Sequence, residues 1–264
     1  MSEFRSVKML WSFLLLILLM SGPEVWAIGK QLEIDLDLEQ APAFISGGLD
    51  DDRLGTCLAV GNLDGDGFDD LVLGAPHADD PITRDDRSGS AYVVFGPLPE
   101  GFNLDLASIT AADATTTATW MTGPDEEDWL GFAVTAGDTN NDGIDDLIVS
   151  APLADGPSND QEWRGEVLIF HGGPAFRAAG KIEAASADTI LYGADKFDRI
   201  GINLTTGDLN GDALPDLLVG APFGETNAGQ LADRLYVFLS PDLQAATEEL
   251  DINSAKVFQV EDLN

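Results

Sequence analysis

Beyond the N-terminal segment, apolar residues come in short runs separated by clusters of Gly, Asp, Asn and Pro. Leu71-Val72-Leu73, Leu147-Ile148-Val149 and Leu217-Leu218-Val219 are apolar at every position. A strand with one wet face alternates with period two, so these unbroken runs predict strands covered on both faces. Runs of similar length stand before and after each of them. Phe44-Ile45, Trp120-Met121 and Ile190-Leu191 precede, and Ala91–Phe95, Val167–Phe170 and Leu235–Phe238 follow. Their β-branched and aromatic residues, with Gly/Pro/Asp punctuation, predict about four short strands per unit.

The units repeat. Gly61–Pro76, Gly137–Pro152 and Gly207–Pro222 align in one register, and the acidic loops inside them begin 76 and 70 residues apart. Leu54-Gly55, Leu130-Gly131 and Ile200-Gly201 precede the loops at a fixed distance, as do Gly47, Gly123 and Gly193. Four-stranded sheets stacked face to face around an axis satisfy strands that are buried on both sides, so the pattern predicts an all-β propeller. A β-sandwich is the rival, but its solvated outer faces would give alternation. The propeller region spans 28–264, with units at about 44–110, 120–182 and 190–250 and the start of a fourth blade over 255–264, marked by Val257–Val260. Gln31–Glu39 alternates with strand period and is expected to complete a blade. Closed propellers need at least about four blades, so three units predict a partial or open arc, or a truncated reading frame. Bare faces on such an arc predict self-association.

Each unit carries oxygen-bearing side chains at positions 1, 3, 5 and 9 of a nine-residue loop. They are Asn62, Asp64, Asp66 and Asp70; Asp138, Asn140, Asp142 and Asp146; and Asp208, Asn210, Asp212 and Asp216. Position 7, occupied by Phe68, Ile144 and Leu214, can add a backbone carbonyl. Crowded carboxylates repel unless a cation sits among them, and calcium accepts six to eight oxygens in flexible geometry. Up to three Ca²⁺ are therefore expected. An EF-hand is excluded, because position 12 holds Leu73, Val149 and Val219 rather than Glu. Loop 3 departs from the pattern, with Ala213 where the others have Gly67 and Gly143, and with Pro215 beside it.

The Leu-Gly elements, the D-x-[DN]-x-D-G-x-x-D loop, the L-[VIL]-V-G-A-P strand and the following aromatic-glycine strand end resemble FG-GAP repeats, the blades of the integrin alpha-subunit head. The resemblance covers about residues 44–240. It implies a calcium-binding β-propeller on an extracellular face, with the twelve loop side chains as ligands. The family's Phe-Gly is here Leu54-Gly55, Leu130-Gly131 and Ile200-Gly201, and the family has seven blades where three are recognisable.

Charge narrows the partners. With 13 Lys and Arg against 47 Asp and Glu, the formal net charge is −34, which excludes nucleic acid and basic-patch membrane binding. One cysteine and two histidines exclude disulfides, thiolate zinc clusters and a three-histidine site. Cys57 is expected as a buried small residue, and His77 and His171 as loop residues. Arg5 and Lys8, the twelve-residue apolar run Met9–Met20 and small residues at the −3 and −1 sites, Val25 and Ala27, read as a secretory signal peptide over 1–27. That run is too short for a transmembrane span, which takes about 20 residues. An uncleaved interfacial anchor is the alternative. Secreted, cell-surface or periplasmic location follows. Asn203-Leu204-Thr205 is a glycosylation sequon placed inside a strand. Phe176–Lys181 lacks both the leading Gly and the trailing Ser/Thr of a P-loop, and no G-x-S-x-G elbow occurs.

Three functions are compatible with this. The first is a non-catalytic adhesion or interaction module that takes a protein or glycan ligand. The second is the accessory or catalytic propeller of a secreted hydrolase, lyase or phospholipase. The third is a structural fragment. No nucleophile or base is paired outside the repeated positions, so the first is expected.

Overall fold

The computed structural model describes residues 44–47, 51–79, 87–106, 109, 117–159, 162–223, 233–240 and 250–251. All lie in the compact unit Ala41–Asn264. The signal-peptide segment, Gln31–Glu39 and Val257–Val260 fall outside them.

The strands in chain order are β1 (Phe44–Ser46), β2 (Leu58–Gly61), β3 (Asp70–Ala75), β4 (Ser90–Val94), β5 (Asn103–Asp105), β6 (Ala118–Thr122), β7 (Val134–Gly137) and β8 (Asp146–Ala151). There follow β9 (Glu166–Phe170), the one-turn helix α1 (Ala175–Ala178), β10 (Lys181–Glu183), β11 (Thr189–Tyr192), β12 (Asn203–Gly207), β13 (Asp216–Ala221), β14 (Arg234–Phe238) and β15 (Leu250–Asp251). Every strand run predicted from the units is present. Two sheets have five strands each, in the orders β10-β6-β4-β3-β2 and β15-β11-β9-β8-β7; β12-β13-β14 form a third, and β1 pairs with β5. The result is an all-β partial propeller.

The sequence unit and the sheet are out of step. In the first full sheet β2, β3 and β4 come from one unit, while β6, antiparallel to β4, opens the next. A fifth strand, β10, arrives from that second unit and pairs with β6 in parallel. The second sheet repeats this, with β11 antiparallel to β9 and β15 parallel to β11. Four-stranded blades thus gain a parallel outer strand.

The innermost strands β2, β7 and β12 lie side by side. Thr206 Oγ1 donates to the Ala136 carbonyl at 2.7 Å and meets Thr135 Oγ1 at 3.2 Å, tying β12 to β7. Apolar side chains fill the space between sheets. Val72, Val93, Met121, Val134, Leu147 and Leu168 form one layer; Ile148, Ile169, Leu191, Leu217, Val219 and Tyr236 form the next. All six residues of β8 are buried, which is why its sequence does not alternate. Each fully buried Leu, Ile or Val contributes about 1.5–3 kcal/mol. The end faces are barer: Leu58 and Val60 are 60% and 64% exposed on one side, and Leu235 is 39% exposed on the other. Asn203, within β12 as expected, is exposed.

The Leu-Gly and Gly-Ala-Pro elements are two halves of one contact. Gly55, Gly131 and Gly201 have φ of +83°, +82° and +84°, where residues with a Cβ are strained. Their N–H groups donate to the carbonyls of Gly74, Ser150 and Gly220 at 2.8–3.0 Å. Cys57 sits against this contact, its Sγ 3.1 Å from the Gly131 carbonyl oxygen, and burial pushes its thiol up to about 11. The residue, expected to be buried, is half-buried.

Candidate functional site

Each acidic loop joins the innermost strand of its sheet to the second. Within a nine-residue turn the backbone N–H groups have no ladder partners, and Asx side chains supply them. Position 1 accepts from the N–H of position 6: Asn62 from Gly67 (3.2 Å), Asp138 from Gly143 (2.9 Å) and Asp208 from Ala213 (3.0 Å). Position 3 accepts from position 5: Asp64 from Asp66 (3.0 Å), Asn140 from Asp142 (2.9 Å) and Asn210 from Asp212 (2.8 Å). Position 5 accepts from position 7: Asp66 from Phe68, Asp142 from Ile144 and Asp212 from Leu214, each at 2.9 Å. Position 7 therefore enters this network through its N–H. Ala213, in place of glycine, is held at φ +71°.

Position 9 has a different task. Asp70, Asp146 and Asp216 are buried, and each is the first residue of a strand. One oxygen accepts from the N–H of position 2: Leu63, Thr139 or Leu209, each at 2.9 Å. The other accepts from the chain just past the third strand: Gly96 N (2.9 Å), Gly172 N (3.0 Å) or Ser240 N (3.1 Å). Burial raises the carboxyls of Asp70 and Asp146 above the ordinary range, against the pull of these hydrogen bonds.

All twelve predicted side chains thus lie on their loops in one repeated arrangement, each turned to a backbone N–H. Among the described residues no three His, Cys, Asp or Glu side chains are gathered as a ready-made metal cluster. A positively polarised group instead stands between the oxygens. In loop 2 the amide of Asn140 donates to Asp142 Oδ2 (3.0 Å) and Asp146 Oδ1 (3.4 Å); in loop 3 the amide of Asn210 donates to Asp212 Oδ2 (2.9 Å). Rotation of either amide would present an oxygen instead, so these donor sets fit a hard cation. In loop 1 the group is the guanidinium of Arg177, with Nε 2.5 Å from Asp64 Oδ2 and Nη2 3.1 Å from Asp66 Oδ2. Loop 1 fits a metal only without it.

The chain matches the FG-GAP repeat model over residues 55–94, 130–170 and 201–232. The chain is an FG-GAP repeat protein. The first FG-GAP match runs from Gly55 through the first acidic loop to the end of β4, and the other two cover the equivalent elements. The chain is 32% identical to integrin alpha-PS2 of Drosophila melanogaster over 79% of its length, 30% to integrin alpha-8 of Gallus gallus over 69%, and 29% to phosphatidylinositol-glycan-specific phospholipase D of Bos taurus over 77%. The aligned part spans 14%, 15% and 22% of those relatives.

Two site features were hidden in the sequence. Arg177 is the only Lys or Arg in the segments 96–102, 171–180 and 239–249 that follow the third strands, a signal that could have marked it. The second is a cleft of about 500 Å³ lined by Asp125, Asp128, Asn159, Glu166 and Tyr192 among others. Burial, then the neighbouring Glu166 carboxylate, pushes Asp128 up to about 8. Asp128 also caps a turn, accepting from Asp125 N at 3.1 Å, as Asp198 does from Asp195 N at 2.9 Å in the next unit. His77, expected on a loop, lies in a turn but is buried, its ring 4.9 Å from that of Trp129. His171 follows β9, and its N–H donates to Asp188 Oδ2. No helix among the described residues is long and apolar enough to cross a membrane.

Proposed function

We propose that the chain is a calcium-stabilised, non-catalytic propeller module of a secreted or cell-surface protein, presenting its loops to a protein or glycan ligand. The observation that carries the reading is the threefold repetition of one loop. Loops 2 and 3 each place four oxygen-bearing side chains, Asp138, Asn140, Asp142 and Asp146 in one and Asp208, Asn210, Asp212 and Asp216 in the other, on one turn whose Asn amide can rotate. A bound Ca²⁺ would neutralise charge on a surface of formal net charge −34 and stiffen the turn. The integrin alpha similarity supports an adhesive role. The exposed Leu58, Val60 and Leu235 support self-association or a partner that completes the arc.

Calorimetric titration of chelator-stripped protein tests the metal. Saturable binding that disappears in Asp142→Ala combined with Asp212→Ala is expected, and no binding at millimolar calcium refutes the reading.

The second reading, a catalytic or accessory propeller, is supported by the similarity to a phospholipase D and by the cleft holding Asp128 and Glu166. It is the weaker one, because the equivalent Asp198 caps the same turn beside Arg234, 3.6 Å away, in a structural role. Hydrolase, lyase and phospholipase assays that show turnover abolished by Asp128→Asn would establish it.

A further inference from the structure

We propose that Arg177 is the resident cation of loop 1, holding that loop without metal and excluding a divalent ion from it. Asp64 is 5% exposed, so its carboxylate needs a partner, and Arg177 Nε stands 2.5 Å from it. Nη2 reaches Asp66 Oδ2 at 3.1 Å and the Gly96 carbonyl at 3.0 Å, and the guanidinium lies 4.8 Å from the centre of the Phe95 ring. Two carboxylates, a carbonyl and an aromatic face therefore receive one planar cation, the surroundings that suit a guanidinium.

The placement is fixed from both sides. Phe176, next to Arg177, is buried in the layer between the first two sheets. Its carbonyl accepts from Thr119 Oγ1 of β6 at 3.0 Å, and Gly173 N donates to the Leu63 carbonyl inside loop 1 at 2.8 Å. The crossover from β9 to β10 is thus clamped to the first sheet with Arg177 over the loop.

A divalent ion on Asp64 and Asp66 would share the few ångströms that the guanidinium fills, so the two exclude each other by charge and by volume. Among the described residues no Lys or Arg is paired with the carboxylates of the other two loops. Their position 3 is Asn, whose amide can turn its oxygen inward, whereas a guanidinium has no acceptor to offer. The segment 239–249, which follows the third unit as 171–180 follows the second, contains no Lys or Arg.

The metal half of this inference rests on the calcium reading above; the pairing of Arg177 with Asp64 stands without it. Calcium titration of the chelator-stripped full chain should give two ions for the wild type and three for Arg177→Gln. Asp64→Asn in the wild-type background should leave the count at two; a fall by one places an ion in loop 1 and overturns the inference. That arm decides alone if Arg177→Gln does not fold. In EDTA, urea unfolding of Arg177→Gln, Asp64→Asn and the double variant separates the two readings. The second substitution should shift the unfolding constant at least tenfold less when the first is present, and independent shifts overturn the pairing. Coupling in EDTA with no calcium bound by any variant refutes the calcium reading and leaves Arg177 as the cation of loop 1.

Discussion

Asp146→Asn separates the scaffold of the loops from the metal chemistry proposed for them. The Asp146 carboxylate is 0% exposed and accepts from Thr139 N (2.9 Å), Thr139 Oγ1 (2.5 Å) and Gly172 N (3.0 Å). An amide keeps one oxygen, so whichever way it turns, Thr139 N–H or Gly172 N–H faces an NH₂ group. One deprived buried donor costs about 1–3 kcal/mol, and the surviving bonds lose the roughly 1 kcal/mol that charge assistance adds. Relief of the burial cost that raises this carboxyl offsets part of the loss. The net expectation is about 2–3 kcal/mol, a large share of a typical domain's stability. Asp142→Ala is the control, because its bonds to Ile144 N and the Asn140 amide are exposed and worth under about 1 kcal/mol. Urea unfolding in EDTA measures both, and repeating it in excess calcium should widen the Asp142→Ala deficit. A cost for Asp146→Asn below about 0.5 kcal/mol in EDTA, or one matched by Asp142→Ala, would refute the division of labour.

Ala213→Gly should stabilise the chain by about 0.5–1 kcal/mol in urea unfolding, because relief of the αL strain at φ +71° exceeds the entropy that glycine adds to the unfolded state. Gly131→Ala should cost about 3 kcal/mol or more in the same assay, since its Cβ would stand 2.2 Å from the Ser90 carbonyl oxygen at φ +82°. Asp128, at about 8 against an ordinary 3.8, holds its proton in the fold where the unfolded chain releases it. Its contribution to stability therefore falls as pH rises from about 4 through 8, by at most about 1.4 kcal/mol per unit. Asp128→Asn should flatten that dependence between pH 5 and 8.5; an unchanged slope would count against the buried pairing with Glu166. Cys57, pushed up to about 11, should react with iodoacetamide at pH 8 roughly two orders of magnitude more slowly than a free thiol, with mass spectrometry as the readout.

The loops and strands could be read from the sequence because their determinants are local. Alternate Asx residues satisfy backbone N–H groups a few positions away, and runs such as Leu147-Ile148-Val149 declare two covered faces by refusing to alternate. The parallel outer strands could not be read in the same way. Lys181-Ile182-Glu183 has no strand signature of its own and pairs because α1 and its crossover deliver it beside β6. Arg177 sat inside a string that fails as a P-loop, and its role depends on Asp64, more than a hundred positions earlier. Asp128 carries no mark of its own in the sequence, because its burial and the Glu166 carboxylate beside it are set by the fold. Distance along the chain, rather than residue type, separates what was visible from what was not.

The offset between unit and sheet gives the acidic loops a mechanical place. A sheet built as β2-β3-β4-β6-β10 draws two of its five strands from the following unit, so no unit completes a sheet alone. Loop 1 stands at that seam. Asn62 N donates to Asp145 Oδ2 (2.8 Å), Asp145 N donates to the Asn62 carbonyl (3.2 Å), and Arg177 comes from the second unit's crossover. A positive charge among these carboxylates, whether guanidinium or metal, therefore tightens a joint between neighbouring units as well as a turn within one. Stability in such nearest-neighbour architectures is the sum of unit and interface terms. On the proposed reading, the cation at loop 1 would add to the interface term between the first two sheets. That is the physical sense in which an acidic chain of formal net charge −34 can be made rigid without losing its surface charge.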